Sequence, residues 1–81
     1  MEAHIAAHEF SSNNYDSIRA SKMCGCFYCG KIFPAEEVLD WYDDKTKTAT
    51  CPYCTIDSVI GDQTGYPITK EFLQRMKEYW F

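Results

Sequence analysis

Apolar residues recur at helical spacing at both ends of the chain, and this pattern predicts a helix at each end. Residues 2–9 carry alanines and an isoleucine between two histidines, which indicates a short helix of weak amphipathicity. Serines and asparagines at 11–14 interrupt the pattern, and a second short helix is predicted over 15–21. Near the other end, Thr69 is placed as the N-cap of a last helix over 69–81. The apolar stripe of this last helix consists of Phe72, Leu73, Met76, Tyr79 and Trp80.

The middle of the chain carries short runs of β-branched and aromatic residues, which predict strands rather than helices. One run at 31–33 ends at Pro34. Pro34 itself and the acidic residues Glu36 and Glu37 predict a single helical turn over 34–37. Two further runs, at 38–42 and 48–50, are separated by a polar stretch at 43–47 that predicts a hairpin turn.

Two Cys-x-x-Cys pairs flank this predicted hairpin and supply the strongest chemical signal in the sequence. Residues 30–50 separate the pairs, a spacing just beyond the usual range for zinc sites. Four sulfur ligands are typical of a structural zinc ion, because such a set leaves no position open for water or substrate. We therefore predict one structural Zn²⁺, and no catalytic role for it, at Cys26, Cys29, Cys51 and Cys54.

The residues around the two pairs predict that the pairs differ in structure. Gly30 follows the first pair and can adopt a positive φ, which is typical of a zinc knuckle on a turn. Pro52 inside the second pair and Gly61 beyond it predict a helix over 52–60 whose N-terminus holds the metal. A knuckle, a hairpin and a ligand-bearing helix, taken together, predict a treble-clef-like arrangement.

Length and composition add a reason for the metal. A chain of 81 residues buries a small core, so its stability is marginal unless something else holds it together. A structural zinc ion contributes apparent binding free energy on the order of 10–16 kcal/mol, which becomes folding free energy. We predict a small α+β zinc-binding domain over 1–81, with an N-terminal helical segment at 1–21, a zinc core at 24–61 and a C-terminal helix at 69–81.

The formal net charge of −4 disfavours binding to a phosphate backbone, because basic patches supply most of that affinity. Lys45 and Lys47 at the predicted hairpin tip are the best local candidates for nucleic-acid contact, but neighbouring aspartates make a solvated turn the simpler interpretation. The start of the chain lacks the basic segment and apolar run of a signal peptide, and no apolar run is long enough to span a membrane. We therefore expect a cytoplasmic protein without a membrane segment.

Other cysteines and histidines leave alternatives open. The motif Cys51-Pro52-Tyr53-Cys54 also occurs at the active sites of glutaredoxins, so thiol redox chemistry is an alternative to metal binding. Cys24 is either a small, partly exposed thiol beside the first pair or a redox or ligand-exchange partner of Cys26. His4 and His8 are four positions apart, so a helix would place them on one face, either in solvent or at a second metal.

Aromatic residues are candidates for partner contacts, because they dominate the energetics of protein interfaces. The chain ends on three of them, Tyr79-Trp80-Phe81, of which Trp80 is predicted to pack with Met76 in the core. Trp41 and Tyr42 form a second candidate contact patch.

A wider resemblance is carried by the order and spacing of several short motifs. These motifs are CGCFYC at 24–29, Trp41, TATCPYCTIDSVIG at 48–61, GYPIT at 65–69 and Phe72-Leu73. Together they resemble a family of small bacterial proteins described only as uncharacterised cytoplasmic proteins with a four-cysteine core of the zinc-ribbon or treble-clef type. The resemblance extends from about residue 11 onward. It implies a zinc domain in the cytosol of a bacterium or phage, and it implies no particular activity.

The function that the sequence favours is that of a non-catalytic, zinc-stabilised module that mediates protein–protein interaction. A nucleic-acid-binding zinc module in transcription or translation is the alternative, and a thiol redox protein is a third possibility. The sequence leaves the identity of the partner and the oligomeric state open.

Overall fold

Three short antiparallel strands form the sheet at the centre of the protein, and helical segments from both ends of the chain pack around it. The computed structural model describes residues 2–42 and 47–81. In chain order, the elements are α1 (Ala3–Ala6), a 3-10 helix (Ala7–Ser11), α2 (Tyr15–Ala20), β1 (Met23–Cys26), β2 (Ile32–Pro34), a 3-10 turn (Ala35–Glu37), β3 (Trp41–Tyr42), β4 (Thr48–Ala49), β5 (Val59–Gly61), a 3-10 turn (Asp62–Thr64) and α3 (Lys70–Trp80).

The central sheet has the strand order β2-β1-β5, with β1 antiparallel to both neighbours. In this register Cys24 lies opposite Phe33 on one side and Gly61 on the other. A separate two-stranded ladder pairs Trp41 with Ala49 and so brings β3 against β4. The sheet therefore connects the residues before the first cysteine pair to those after the second.

The helix predicted over 52–60 is wrong, and with it the ligand-bearing helix of the treble-clef prediction. Val59–Gly61 is strand β5, and Thr55 has a φ of +67°, which no right-handed helix accommodates. The segment is extended because its partners are long-range: the amide of Phe27 donates to the carbonyl of Ser58 at 3.0 Å, next to the β1–β5 ladder. Pairing with β1 therefore outweighs the local helix signals.

The remaining element predictions fare better. The helices at both ends form, and the amide of Phe72 donates to the side chain of Thr69 at 3.2 Å, as an N-cap requires. The strand predicted over 38–42 is shorter, Trp41–Tyr42, and the buried Val38 instead caps the preceding 3-10 turn. The predicted turn residues at 43–46, which include Lys45, lie outside the described residues.

Two clusters of buried side chains lie on either side of the central sheet. The cluster nearest the cysteine pairs contains Ile18, Cys24, Cys26, Phe33, Val38, Ala49, Cys51 and Val59. The second cluster, covered by α3, contains Ala7, Phe27, Ile60, Phe72, Leu73 and Met76. Helix α3 packs directly on the backbone of β1. The space between them is so small that a Cβ on Gly25 would lie 2.7 Å from the Leu73 Cδ1 atom.

A buried asparagine connects the N-terminal segment to both ladders. The Asn14 Nδ2 atom donates to the carbonyls of Phe10 and Val59 at 3.0 and 2.9 Å, and its Oδ1 atom accepts from the amide of Ala49 at 2.9 Å. Three hydrogen bonds satisfy this side chain, so its burial carries little desolvation penalty. The N-terminal helices are thereby fixed to the sheet by polar as well as apolar contacts.

Among the helices of the described residues, none combines the length and the apolar character needed to cross a membrane.

Candidate metal centre

The first cysteine pair lies on a tight turn between β1 and β2. The amide of Gly30 donates to the carbonyl of Cys26 at 2.8 Å, and the amide of Cys26 donates to the carbonyl of Lys31 at 3.0 Å. Gly30 has a φ of +79°, as predicted for a zinc knuckle. The turn directs the backbone of Lys31 at the sulfur of Cys29.

The second pair repeats the same turn. The amide of Thr55 donates to the carbonyl of Cys51, and the amide of Cys51 donates to the carbonyl of Ile56, both at 2.9 Å. Thr55 takes the left-handed conformation that Gly30 takes in the first turn. The two pairs are therefore equivalent knuckles, and the predicted inequality between them is wrong.

The two knuckles bring the four predicted cysteines together. Their sulfur atoms all lie within 4.8 Å of one another. Two of the distances, Cys26 Sγ to Cys54 Sγ and Cys29 Sγ to Cys51 Sγ, are both 3.6 Å. A tetrahedron with zinc–sulfur bonds of about 2.3 Å has sulfur–sulfur edges of about 3.8 Å. The four cysteines can therefore hold a metal ion with little rearrangement.

Comparison with known protein families, with curated proteins and with solved structures finds no match. The arrangement of the four cysteines therefore has no counterpart in these comparisons. The functional interpretation therefore depends on the donor set and on the groups that surround it.

Backbone amides surround the sulfurs in the pattern expected for thiolate ligands. The amides of Tyr53 and Cys54 lie 3.4 and 3.5 Å from the Cys51 sulfur. In the first knuckle, the backbone of Tyr28 and Cys29 hydrogen-bonds the Cys26 sulfur. Such N–H groups stabilise negative charge on sulfur without adding a competing ligand.

The pKa values of the thiols reflect burial and these hydrogen bonds. Burial raises the pKa of Cys26 well above its usual range, although hydrogen bonds from Ser58 and the knuckle backbone oppose the rise. Burial also raises the pKa of Cys54, against the effect of the Ile56 backbone. At Cys29, burial alone would raise the pKa, but hydrogen bonds from the Lys31 backbone and the neighbouring thiols lower it. Without a metal, Cys26 and Cys54 are therefore protonated near neutral pH.

Ser58 contacts the candidate metal centre, a contact that the sequence did not reveal. Its hydroxyl lies 3.0 Å from the Cys26 sulfur, and the side chain is buried. The helix predicted over 52–60 gave no local signal that connected Ser58 with the metal site. Recognising β5 as a partner of β1 would have connected Ser58 with the site, because Cys26 lies opposite Val59 in that ladder.

Cys24 does not join the four-cysteine group. It is fully buried in the core between Phe33 and Gly61 of the neighbouring strands, so the partly exposed position predicted for it is wrong. Burial raises the pKa of Cys24 to about 12, and the nearby charge of Asp62 makes a smaller contribution to this rise. Such a thiol is unreactive at neutral pH, because the thiolate is the nucleophilic form.

The two histidines contact aromatic rings. The His4 ring meets Tyr79 edge-on at 5.9 Å between centroids, and the His8 ring stacks on Trp80 at 3.9 Å. Within residues 2–42 and 47–81, the four cysteines are the one group of three or more metal-ligating side chains. Trp80, predicted to lie in the core, is 39% exposed and covers the N-terminal helix instead.

Of the two lysines that the sequence offers as nucleic-acid contacts, Lys47 lies within the described residues. The Lys47 Nζ atom lies 4.8 Å from the centroid of the Tyr15 ring, and Trp41 packs on the same tyrosine. Lys47 is therefore engaged with an aromatic ring at the base of the hairpin. Lys45 lies outside the described residues.

Proposed function

We propose that the protein is a zinc-stabilised module that binds another protein and has no catalytic centre of its own. The observation that carries this proposal is the set of four sulfurs within 4.8 Å of one another on two equivalent knuckles. A tetrahedral set of four thiolates suits zinc, and it leaves no coordination position for water or substrate. The metal would connect the loop after β1 to the loop before β5 and so close the fold.

Thiol redox chemistry is less well supported than a metal site. In proteins that use Cys-Pro-Tyr-Cys as a redox dithiol, a helix N-terminus lowers the pKa of the attacking thiol. Here the residues after Cys51 form a knuckle rather than a helix, so no helix dipole acts on its sulfur. A reducing compartment such as the cytoplasm, which keeps the four thiols available to metal, is the setting we propose.

Exposed aromatic side chains supply the reason to propose a protein partner. Large apolar side chains at the surface include Tyr28, Leu39, Tyr42, Tyr53, Tyr79 and Phe81. Tyrosine and phenylalanine bury much area at little cost in conformational entropy, and they are enriched in the centres of interfaces. The zinc ion would hold the elements that carry these side chains in fixed positions.

Affinity capture with two preparations of the same chain tests this proposal. The zinc-loaded protein is expected to retain a specific protein from the lysate of its native host, whereas the chelator-treated protein is expected to release it. Two results would contradict the proposal. Retention of DNA or RNA that falls steeply with salt would point to nucleic acid instead. Freshly isolated protein that contains no metal and whose four cysteines are alkylated rapidly would exclude the zinc module.

A further inference from the structure

Two adjoining grooves run along the surface between the first knuckle and α3. One, of about 240 Å³, lies between Tyr28 and Lys77. The other, of about 450 Å³, lies between Ile32 and Tyr53. Cys29, Gly30 and Lys70 line both grooves, so the two form one continuous surface. We call this surface the knuckle face. Its exposed side chains include Tyr28, Lys31, Tyr53, Lys70 and Lys77, and Phe81 adjoins it through Tyr28.

The knuckle face is basic although the chain as a whole is acidic. Three lysines line it, and among the described residues no aspartate or glutamate lines either groove. Glu37 reaches the rim only, where it accepts a hydrogen bond from the Tyr53 hydroxyl at 2.6 Å. The charge is therefore segregated, since the formal net charge of the chain is −4.

Helix α3 shows the same segregation along its length. Lys70, Gln74 and Lys77 line the groove on the knuckle side. Arg75 and Glu78 lie on another side of the helix, where they border a separate depression beside His4. Glu78 of α3 therefore lies away from the groove that Lys70 and Lys77 line.

Two of the three lysines lie over tyrosine rings. The Lys77 Nζ atom is 5.5 Å from the centroid of Tyr28, and the Lys31 Nζ atom is 5.2 Å from the centroid of Tyr53. The rings of Tyr28 and Phe81 also form a T-shaped pair with their centroids 5.0 Å apart. Because a lysine occupies one face of each tyrosine ring, the surface presents fixed ammonium groups more than open stacking platforms for bases.

We propose that the knuckle face binds an extended acidic segment of a partner protein. Carboxylates of the segment would pair with Lys70 and Lys77, and an apolar side chain between them would pack against Tyr28 and Phe81. The two lysines are separated by about 10 Å along α3. Glutamates four residues apart on an extended chain point to the same side and lie about 13 Å apart, and the flexible lysine side chains cover the difference. This inference rests on the proposed function, because it assigns a surface and a class of partner to the interaction module.

The lysines could also serve only to neutralise the metal centre. Four thiolates with one divalent cation carry a net negative charge, and Cys29 borders both grooves. In that case removal of the lysines would weaken metal binding and would leave peptide binding unchanged. The test must therefore measure both quantities on the same variants.

Fluorescence anisotropy with the full, zinc-loaded chain tests the proposal. The probe is a labelled glycine–serine peptide that carries two glutamates four residues apart with a leucine midway between them. A matched peptide with lysines in place of the glutamates and a labelled oligothymidylate serve as comparisons. The variants are the double substitution Lys70→Gln/Lys77→Gln and, as a charge control away from the face, Lys22→Gln. Zinc content is measured on every sample.

The glutamate peptide is expected to bind the unmodified chain, and the double variant is expected to bind it about tenfold more weakly. Lys22→Gln should leave this affinity unchanged, and the lysine peptide should not bind. Equal affinity of the double variant, no binding to the glutamate peptide, or tighter binding to oligothymidylate would each overturn the proposal. With one zinc ion per chain in these samples, such a failure would concern the knuckle face alone. Samples without zinc would instead overturn the proposed function.

Discussion

Gly30 and Thr55 occupy matching positions in two knuckles and share a left-handed backbone, with φ of +79° and +67°. The conformation suits glycine, but it strains threonine, whose branched Cβ crowds the adjacent carbonyl. The knuckle hydrogen bonds of Cys51 hold Thr55 in this conformation. The second knuckle therefore forms despite its sequence, whereas the first forms because of it.

Replacing Thr55 with glycine is expected to stabilise the zinc-loaded protein. Relief of the strained backbone should raise the free energy of unfolding by about 0.5–1 kcal/mol, after the entropic cost of glycine in the unfolded chain is subtracted. Urea unfolding followed by circular dichroism measures the change.

The reverse substitution at the first knuckle is the matched control. A Cβ on Gly30 meets no atom within 4 Å, so Gly30→Thr tests the backbone alone. It should lower the free energy of unfolding by about 1–2 kcal/mol. Equal stability of both variants and the unmodified protein would show that neither position imposes a strained left-handed backbone on threonine.

The buried hydroxyl of Ser58 is expected to strengthen zinc binding through Cys26. It lies 3.0 Å from that sulfur and can donate a hydrogen bond to the thiolate. Ser58→Ala should weaken zinc affinity by about tenfold, in line with the loss of other groups that orient metal ligands. Competition with a chromophoric chelator measures the affinity. Ser12→Ala, at an exposed serine, is the control, and equal affinities of all three proteins would exclude this role for Ser58.

Zinc affinity should fall as the pH is lowered. The pKa values of Cys26 and Cys54 are raised, mainly by burial, so both thiols are protonated in the metal-free protein. Zinc lowers their pKa values below those of the unfolded chain, so the stabilisation by zinc is present at neutral pH and is lost on acidification.

Release of at least two protons corresponds to a loss of affinity of about 100-fold for each unit by which the pH falls. The same chelator competition, corrected for protonation of the chelator, measures this slope between about pH 6 and 8. An affinity that is independent of pH would rule out thiolate ligands.

Close packing of β5 against the end of α2 predicts a large effect at Gly61. A Cβ at this position would collide with the side chain of Ser21, whose Oγ atom accepts from the amide of Gln63 at 3.0 Å. Gly61→Ala should lower the free energy of unfolding by about 1–3 kcal/mol, as overpacked sites do. Gln63→Ala, which changes an exposed neighbouring side chain, should have little effect on the same urea transition. Equal stability of the two variants would contradict the packing of β5.

Local signals were sufficient to predict the four cysteines that cluster, the turn of the first knuckle and the capped helix α3. Each of these depends on residues close together in sequence, such as Gly30 after its cysteine pair or Thr69 before its helix. The central sheet could not be predicted in this way. Strand β1 reads Met-Cys-Gly-Cys, with no β-branched residue, and its pairing partners are distant in sequence.

The second knuckle shows how a local signal can mislead. Pro52 and Gly61 are compatible with the two ends of a helix, but each has another role here. Pro52 lies in the knuckle turn, and Gly61 makes room for Ser21. Ladder pairing with β1 and the hydrogen bonds around Cys51 decide the conformation, and neither is visible in the residues between them.

Native mass spectrometry of the freshly isolated protein, compared with Cys51→Ser, tests the central claim most directly. One zinc ion per chain is predicted for the unmodified protein, since its four sulfurs lie within 4.8 Å of one another. The Cys51→Ser variant should lose the ion, whereas Cys24→Ser, at the cysteine outside the site, should keep it. A metal-free unmodified chain, or a Cys24→Ser variant that loses zinc while Cys51→Ser retains it, would contradict the claim.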